Sequence, residues 1–293
     1  MNILIMGGSG SIGLDLIRTF LDQYPSFRIS ATCGNPVHMK SLQPSVNWIS
    51  YKHELCVNVK SVYPEFFDFI YIVSGSHTLR SPASCNLVKN HSLPLLSFVE
   101  SIVSSYSIQP VFVFVSSANG IRSLDFNTSL VPQTLNLYGL EKLALELLLL
   151  ALFEYSGCNA YIVRLNNVFD PVISKSGFGV FNHFARTISK GLPPFFTGDC
   201  DLPKDYIYIR DLTYFLSSLV LPDLSKPSVF ELYGGQSITA RDLYDSMYFY
   251  FNNGVHLSPS RVSTTHRDSI AIKVSSAIYD VEGMIAKSFE SNI

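Results

Sequence analysis

The chain has 293 residues, of which 47% are apolar and 15% charged, and a formal net charge of −2. That length and apolar content suit a folded protein with a generous core and exclude a disordered one. No basic run occurs anywhere, which argues against nucleic acid or an anionic membrane as the main partner.

The first strand signal, Asn2–Met6, lacks the basic segment and small-residue cleavage site of a signal peptide. Further strands are predicted at Arg28–Cys33, Trp48–Tyr51, Phe69–Val73, Val111–Ser116 and Tyr161–Leu165, with helices over Ile12–Gln23, Val88–Ser105 and Leu140–Tyr155. Strands alternating with helices predict an α/β fold of Rossmann type, a doubly wound parallel sheet with crossover helices. Near-continuous apolarity in Val111–Val115 suits a central strand covered on both faces. The most apolar run, Leu147 to Phe153, is far shorter than the ~20 residues that cross a bilayer.

Beyond residue 170 the pattern loosens, and Gly191-Leu192-Pro193-Pro194 and Gly234-Gly235 read as turns. The expected division is a main domain, 1–170, and a smaller, partly helical C-terminal lobe, 171–293, with a strand near Val229–Tyr233 returning to the main sheet. Five cysteines (Cys33, Cys56, Cys85, Cys158 and Cys200) are scattered, odd in number and without ligand spacing. Reduced thiols, a cytoplasmic location and no metal site are therefore expected.

Gly7-Gly8-Ser9-Gly10-Ser11-Ile12-Gly13 follows the first strand directly and opens a helix. In that context Gly7 allows a tight turn, Gly10 a close backbone approach to a pyrophosphate, and Gly13 close packing of helix on strand. The helix N-terminus, with the amides of Ser11 and Ile12, offers N–H groups and positive dipole to the phosphates. The first domain is thus read as dinucleotide-binding.

The Gly-x-x-Gly-x-x-Gly spacing resembles the extended, nucleotide-sugar branch of the short-chain dehydrogenase/reductase superfamily, the NAD-dependent epimerase/dehydratase family. Such proteins carry an acid after the second strand for the ribose of NAD, or an arginine for the 2′-phosphate of NADP. Here the place reads Thr32-Cys33-Gly34-Asn35-Pro36. Asn35 is the candidate ribose partner and Lys40 a candidate for the phosphate, and the choice between NAD and NADP stays open. The resemblance also puts Glu54-Leu55 beside the adenine, and Ser74, Gly75 and Asn90 against the cofactor.

Tyr138-Gly139-Leu140-Glu141-Lys142 sets a phenol and an ammonium four residues apart, on one face of a helix. A tyrosine with its ordinary pKa near 10 is a poor base at neutral pH. A lysine beside it is expected to favour the phenolate and so permit proton exchange with a substrate hydroxyl. The same lysine can hold the nicotinamide ribose. A hydroxyl binding the substrate oxygen completes the set. Ser116-Ser117-Ala118-Asn119-Gly120 resembles the family's Ser-Ser-Ala-x-x-Tyr-Gly segment, which aligns Ser117 with its active hydroxyl. This segment is two residues short and lacks the tyrosine. The apolar helix after Tyr138 is the one through which relatives pair, so the resemblance implies a homodimer.

In the second half, Arg164-Leu165-Asn166-Asn167-Val168-Phe169-Asp170-Pro171 resembles the family's Arg-x-x-Asn-Val-Tyr-Gly-Pro. That makes Asn167 a contact for a nucleotide-sugar diphosphate. Lys204 stands where relatives clamp phosphate with arginine, a charge without the two-pronged geometry, and Arg267 resembles their second phosphate-binding arginine.

Three functions follow. The first is an NAD(P)-dependent nucleotide-sugar epimerase with transient hydride transfer at C4. The second is an NADPH-dependent 4-keto nucleotide-sugar reductase, and the third a non-catalytic cofactor-binding member of the fold. A dehydratase is disfavoured, because its acid pair is replaced by Ala118-Asn119.

Overall fold

Ile3, Leu4, Ile5 and Met6 are all buried, so the first strand is covered on both faces and belongs inside a sheet. In the computed structural model, which describes residues 1–50, 66–74, 92–122, 137–169, 179–196, 199–220, 228–235 and 237–253, it does. The strands are β1 (Asn2–Met6), β2 (Arg28–Cys33), β3 (Asn47–Ser50), β4 (Phe69–Ile72), β5 (Val111–Ser117), β6 (Ala160–Leu165), β7 (Asn167–Phe169), β8 (Lys204–Tyr208), β9 (Ser228–Leu232) and β10 (Ser237–Ile238). The helices are α1 (Ser11–Gln23), α2 (Pro36–Leu42), α3 (Leu93–Ser105), α4 (Ala118–Arg122), α5 (Leu137–Ser156), α6 (Val180–Ser189), α7 (Ile209–Ser218) and α8 (Ala240–Asn253).

Seven strands form one sheet in the order β3-β2-β1-β4-β5-β6-β9, and β1 pairs in parallel with both β2 and β4. The chain leaves β1 first to one side and then to the other, the switch point at which Rossmann folds bind dinucleotides. On one face Leu4, Met6, Ile70, Ile72, Phe112 and Phe114 pack with Leu95 and Phe98 of α3 and with Leu145, Leu149 and Phe153 of α5. Each such side chain contributes about 1.5–3 kcal/mol by leaving water. On the other face the Tyr71 ring meets Phe20 of α1 edge-on at 5.4 Å, and its hydroxyl donates to the Leu216 carbonyl of α7 at 2.9 Å. Helices on both faces make the fold α/β and doubly wound.

Strand β9 takes the outer place beside β6. Two helices differ from the sequence reading in a way that matters for the site. Helix α5 begins at Leu137, not Leu140, so Tyr138 lies within its first turn. Helix α2 was not foreseen, although Asn35-Pro36 is a helix-start signal.

The chain divides into two compact units, Met1–Arg164 with Leu216–Phe230, and Leu165–Phe215 with the residues from Glu231 on. The second has its own three-stranded sheet, in the order β10-β8-β7, and a core in which Phe181, Phe184 and Ile188 of α6 pack on Leu243, Tyr244 and Met247 of α8. Among the described residues no helix is long and apolar enough to cross a membrane, and no group of three metal-ligating side chains occurs.

Candidate functional site

The turn between β1 and α1 is held from below. Gly7 donates its N–H to Thr32 Oγ1 at 3.0 Å, and Gly8 to the Thr32 carbonyl at 3.0 Å. Gly7 has φ +90°, and a β-carbon there would lie 2.7 Å from Cα of Ser74. This packs Ser74 directly beneath the turn. A β-carbon on Gly13 would strike the Gly7 carbonyl oxygen and lie 2.8 Å from Cα of Gly8. Gly10 is the N-cap of α1, gives no side-chain cap bond, and no acid occupies the first turn. The amide end of α1, with Ser11 and Ile12, therefore keeps its positive potential for an anion.

At the end of β2 the Asn35 side chain is engaged: its Oδ1 accepts from the His38 N–H at 3.2 Å and caps α2. Gly34 borders open space, and both Asn35 and Lys40 are exposed. The segment from Thr32 to Leu42 carries no acidic residue.

Strand β5 and helix α5 bring Ser117, Tyr138 and Lys142 together. The side chains of Ser117 and Tyr138 are hydrogen-bonded to each other. Ser117 Oγ also accepts from the Gly120 N–H at 3.1 Å. Lys142 is buried, with Nζ 3.4 Å from the Val115 carbonyl and 5.1 Å above the Phe114 ring. The spacing predicts a phenol lowered by this ammonium, and the structure corrects that. Burial raises the Tyr138 phenol above its ordinary value, the Ser117 bond opposes the rise, and the nearby Glu141 adds to it. Burial likewise lowers the Lys142 ammonium, against the carboxylates of Glu141 and Glu146. For both groups desolvation by burial is the largest influence.

Three neighbours escaped the sequence reading. Gly120 backs the phenol: a β-carbon there would lie 2.8 Å from Tyr138 Cε1. Glu141 is buried and accepts from Ser92 Oγ at 2.8 Å. Glu146, also buried, receives Arg164 in a forked pair, with Nε at 3.0 Å and Nη2 at 2.7 Å from Oε2. Glu146, four residues after Lys142, is the one whose helical spacing hinted at its role.

In the second unit, Asn167 opens β7 and donates its amide to the Asp205 carbonyl at 3.0 Å. Lys204 opens β8 and is half-buried. The Asp205 carboxylate accepts from Gly234 N–H at 2.6 Å and Gly235 N–H at 3.1 Å, fastening β8 to the turn after β9. Glu54, Leu55, Gly75, Asn90 and Arg267 lie outside the described residues.

Comparison with known proteins agrees with this geometry. Residues 3–221 match the model of the NAD dependent epimerase/dehydratase family. The chain is 24% identical to a dTDP-4-dehydro-6-deoxyglucose reductase of Escherichia coli, across 95% of this chain and 91% of that one. Among solved structures it shares the fold of a UDP-glucose 4-epimerase from Thermotoga maritima with UDP-glucose (TM-score 0.74, 19% identity, 99% and 98% of the two chains). It also shares that of a UDP-glucuronic acid 4-epimerase from Bacillus cereus in complex with UDP-glucuronic acid and NAD (TM-score 0.73, 16% identity, 98% of each chain).

Proposed function

The chain belongs to the NAD dependent epimerase/dehydratase family, and on that premise we propose that it reduces the keto carbon of a 4-keto nucleotide sugar with NAD(P)H. The observation that carries the redox reading is the gathering of Ser117, Tyr138 and Lys142 where β5 ends and α5 begins, with a phenol placed to exchange a proton with a carbonyl oxygen. The E. coli relative over 95% of the chain is named for such a reductase, which supports the reading.

The glycine turn fits a dinucleotide, since the side-chain-free cap at Gly10 leaves the amides of Ser11 and Ile12 to a pyrophosphate. Gly7 and Gly13 hold that turn tight against Ser74. Bound there, the cofactor supplies the hydride. Tyr138 gives its proton to the C4 oxygen, and Ser117 steadies both the phenol and that oxygen through its hydroxyl. Lys142, as an ammonium, holds the cofactor's ribose and compensates charge left on the phenol. Asn35 is spent on capping and no acid replaces it, which favours NADP(H) over NAD. Asn167 and Lys204 meet the sugar diphosphate, with Arg267 assigned to the same anion; Glu54, Leu55, Gly75 and Asn90 are assigned to the cofactor.

A second reading, a nucleotide-sugar 4-epimerase, draws on the 4-epimerases that share the fold. It uses the same phenol in both directions. The exposed face of α5, which carries Leu147, Leu148 and Tyr155 at 60%, 53% and 93% exposure, supports a homodimer through that helix.

The purified protein is to be given NADPH and dTDP-4-dehydro-6-deoxyglucose. Oxidation of NADPH by the protein, abolished in Tyr138→Phe, is the expected result. Stoichiometric NAD retained through purification, with sugar interconversion and no net redox change, would replace the reductase with the epimerase. Full activity in Tyr138→Phe would overturn both.

A further inference from the structure

Asp205 is the second residue of β8, and its carboxylate is gripped by the turn that follows β9. Oδ1 accepts from the Gly234 N–H at 2.6 Å and Oδ2 from the Gly235 N–H at 3.1 Å. Bonds to an ionised acceptor are among the stronger ones in proteins. A β-carbon on Gly234 would strike the Tyr206 carbonyl oxygen, so this turn lies directly against the β8 backbone. Asn166 secures the same turn from β7's side, donating its amide to the Leu232 carbonyl at 2.8 Å. The Asp205 carbonyl in turn accepts from Asn167 Nδ2 at 3.0 Å. An amide bonded in this way resists flipping, because its own oxygen would then face a carbonyl, and its second N–H is left for an anion. Successive residues of a strand point to opposite faces, so the Lys204 and Asp205 side chains diverge. Asn167, in register with Tyr206, shares the Lys204 face, and the parallel pairing puts both at the same end of the sheet. All of these residues belong to the second unit.

We propose that Asp205 is a positioning residue for the substrate's diphosphate: its carboxylate clamps one face of β8 to the turn after β9, so that Asn167 and Lys204 meet the anion from the other face. The inference rests on the reading of Asn167 and Lys204 as diphosphate contacts. A lysine is a point charge on a flexible stem, without the fixed fork of an arginine. Holding the strand from which that stem rises, and the plane of the Asn167 amide beside it, reduces the ordering that binding would otherwise require. The Asp205 carboxylate takes no part in the contact, since it would repel a phosphate. It acts through its neighbours alone. By linkage, a clamp that favours the diphosphate is favoured by it to the same degree.

The test measures the binding of dTDP and of UDP to the full chain by calorimetric titration at fixed salt. Asp205→Asn sets an N–H donor where one of the two acceptor oxygens was, and is expected to raise the Kd of the tighter nucleotide about tenfold. The double variant Asn167→Ala, Lys204→Gln raises it as well. Adding Asp205→Asn to that pair is expected to change little more, because the clamp then has nothing left to aim. A merely structural role would weaken binding equally in both backgrounds. An unchanged Kd in Asp205→Asn, or an undiminished loss in the triple variant, overturns the proposal and leaves the diphosphate reading standing. Wild-type affinity in the double variant, or no binding of either nucleotide to the unaltered protein, overturns the diphosphate reading and the proposal with it. Should Asp205→Asn fail to fold, hydrogen exchange in the unaltered protein decides. Saturating nucleotide is expected to slow the Gly234 and Gly235 amides more than those of α6, and equal slowing overturns the proposal.

Discussion

A β-carbon on residue 120 would lie 2.8 Å from Cε1 and 2.9 Å from Cδ1 of Tyr138, nearer than folded proteins tolerate. Helix α4 therefore touches the phenol at the one place where it has no side chain. Gly120→Ala is expected to push the ring off its bond with Ser117 and to lower kcat on the order of 100-fold, the scale of a 1 Å misplacement. Steady-state kinetics with a thermal melt checks it, and unaltered kcat in a folded variant contradicts it.

Gly13→Ala brings a methyl against the Gly7 carbonyl and Cα of Gly8, backbone on both sides, so no flexible side chain can yield. Overpacking of this kind costs about 1–3 kcal/mol. The variant is expected to unfold at lower urea and to lose dinucleotide affinity, measured by calorimetric titration. Wild-type affinity would show that the turn is not the binding cradle.

Arg164 and Glu146 form an ion pair whose acid is 1% exposed in its side chain and whose arginine is 30% exposed. Arg164→Met leaves that carboxylate buried and unforked, at a cost of about 3 kcal/mol. Adding Glu146→Leu removes the stranded charge and should recover most of the loss. Urea unfolding of the single and double variants reads both effects.

Burial pushes the Tyr206 phenol up to about 12, and Tyr71 moves in the same direction. In the unfolded chain such phenols ionise near 10. Above that pH the unfolded chain has released protons that the folded one keeps, so stability falls as pH rises. It is undiminished below the unfolded value and falls by about 1.4 kcal/mol per pH unit for each phenol above it. Urea midpoints at neutral and at alkaline pH test the slope, and Tyr206→Phe should flatten it by one phenol.

Much of the first unit was legible because its signals are local. β1 and β2 fall within the predicted residues, each closed by a glycine-bearing turn. Ser117, Tyr138 and Lys142 could be picked out by spacing on a strand end and a helix turn. Asn35 was read as a ribose partner because its place after β2 drew attention, whereas Pro36 behind it already signalled the cap it makes. Gly120 and Glu141 were silent for another reason. Their roles depend on what α4 and α3 bring alongside α5, and the bond from Ser92 to Glu141 joins residues that no period relates. The direction of the Tyr138 shift was missed on the same ground, since burial is a property of packing.

The polypeptide passes between its two units three times, after Arg164, after Phe215 and after Phe230. Neither unit is thus a continuous stretch of the gene product. While the protein is being synthesised, β6 has no outer neighbour until Ser228–Leu232 leaves the ribosome. Its buried Tyr161, Ile162 and Val163 meanwhile border an open edge of the kind that recruits foreign strands. A nascent chain arrested before that point would present this edge to its neighbours, so the late strand sets when the seven-stranded sheet can be completed.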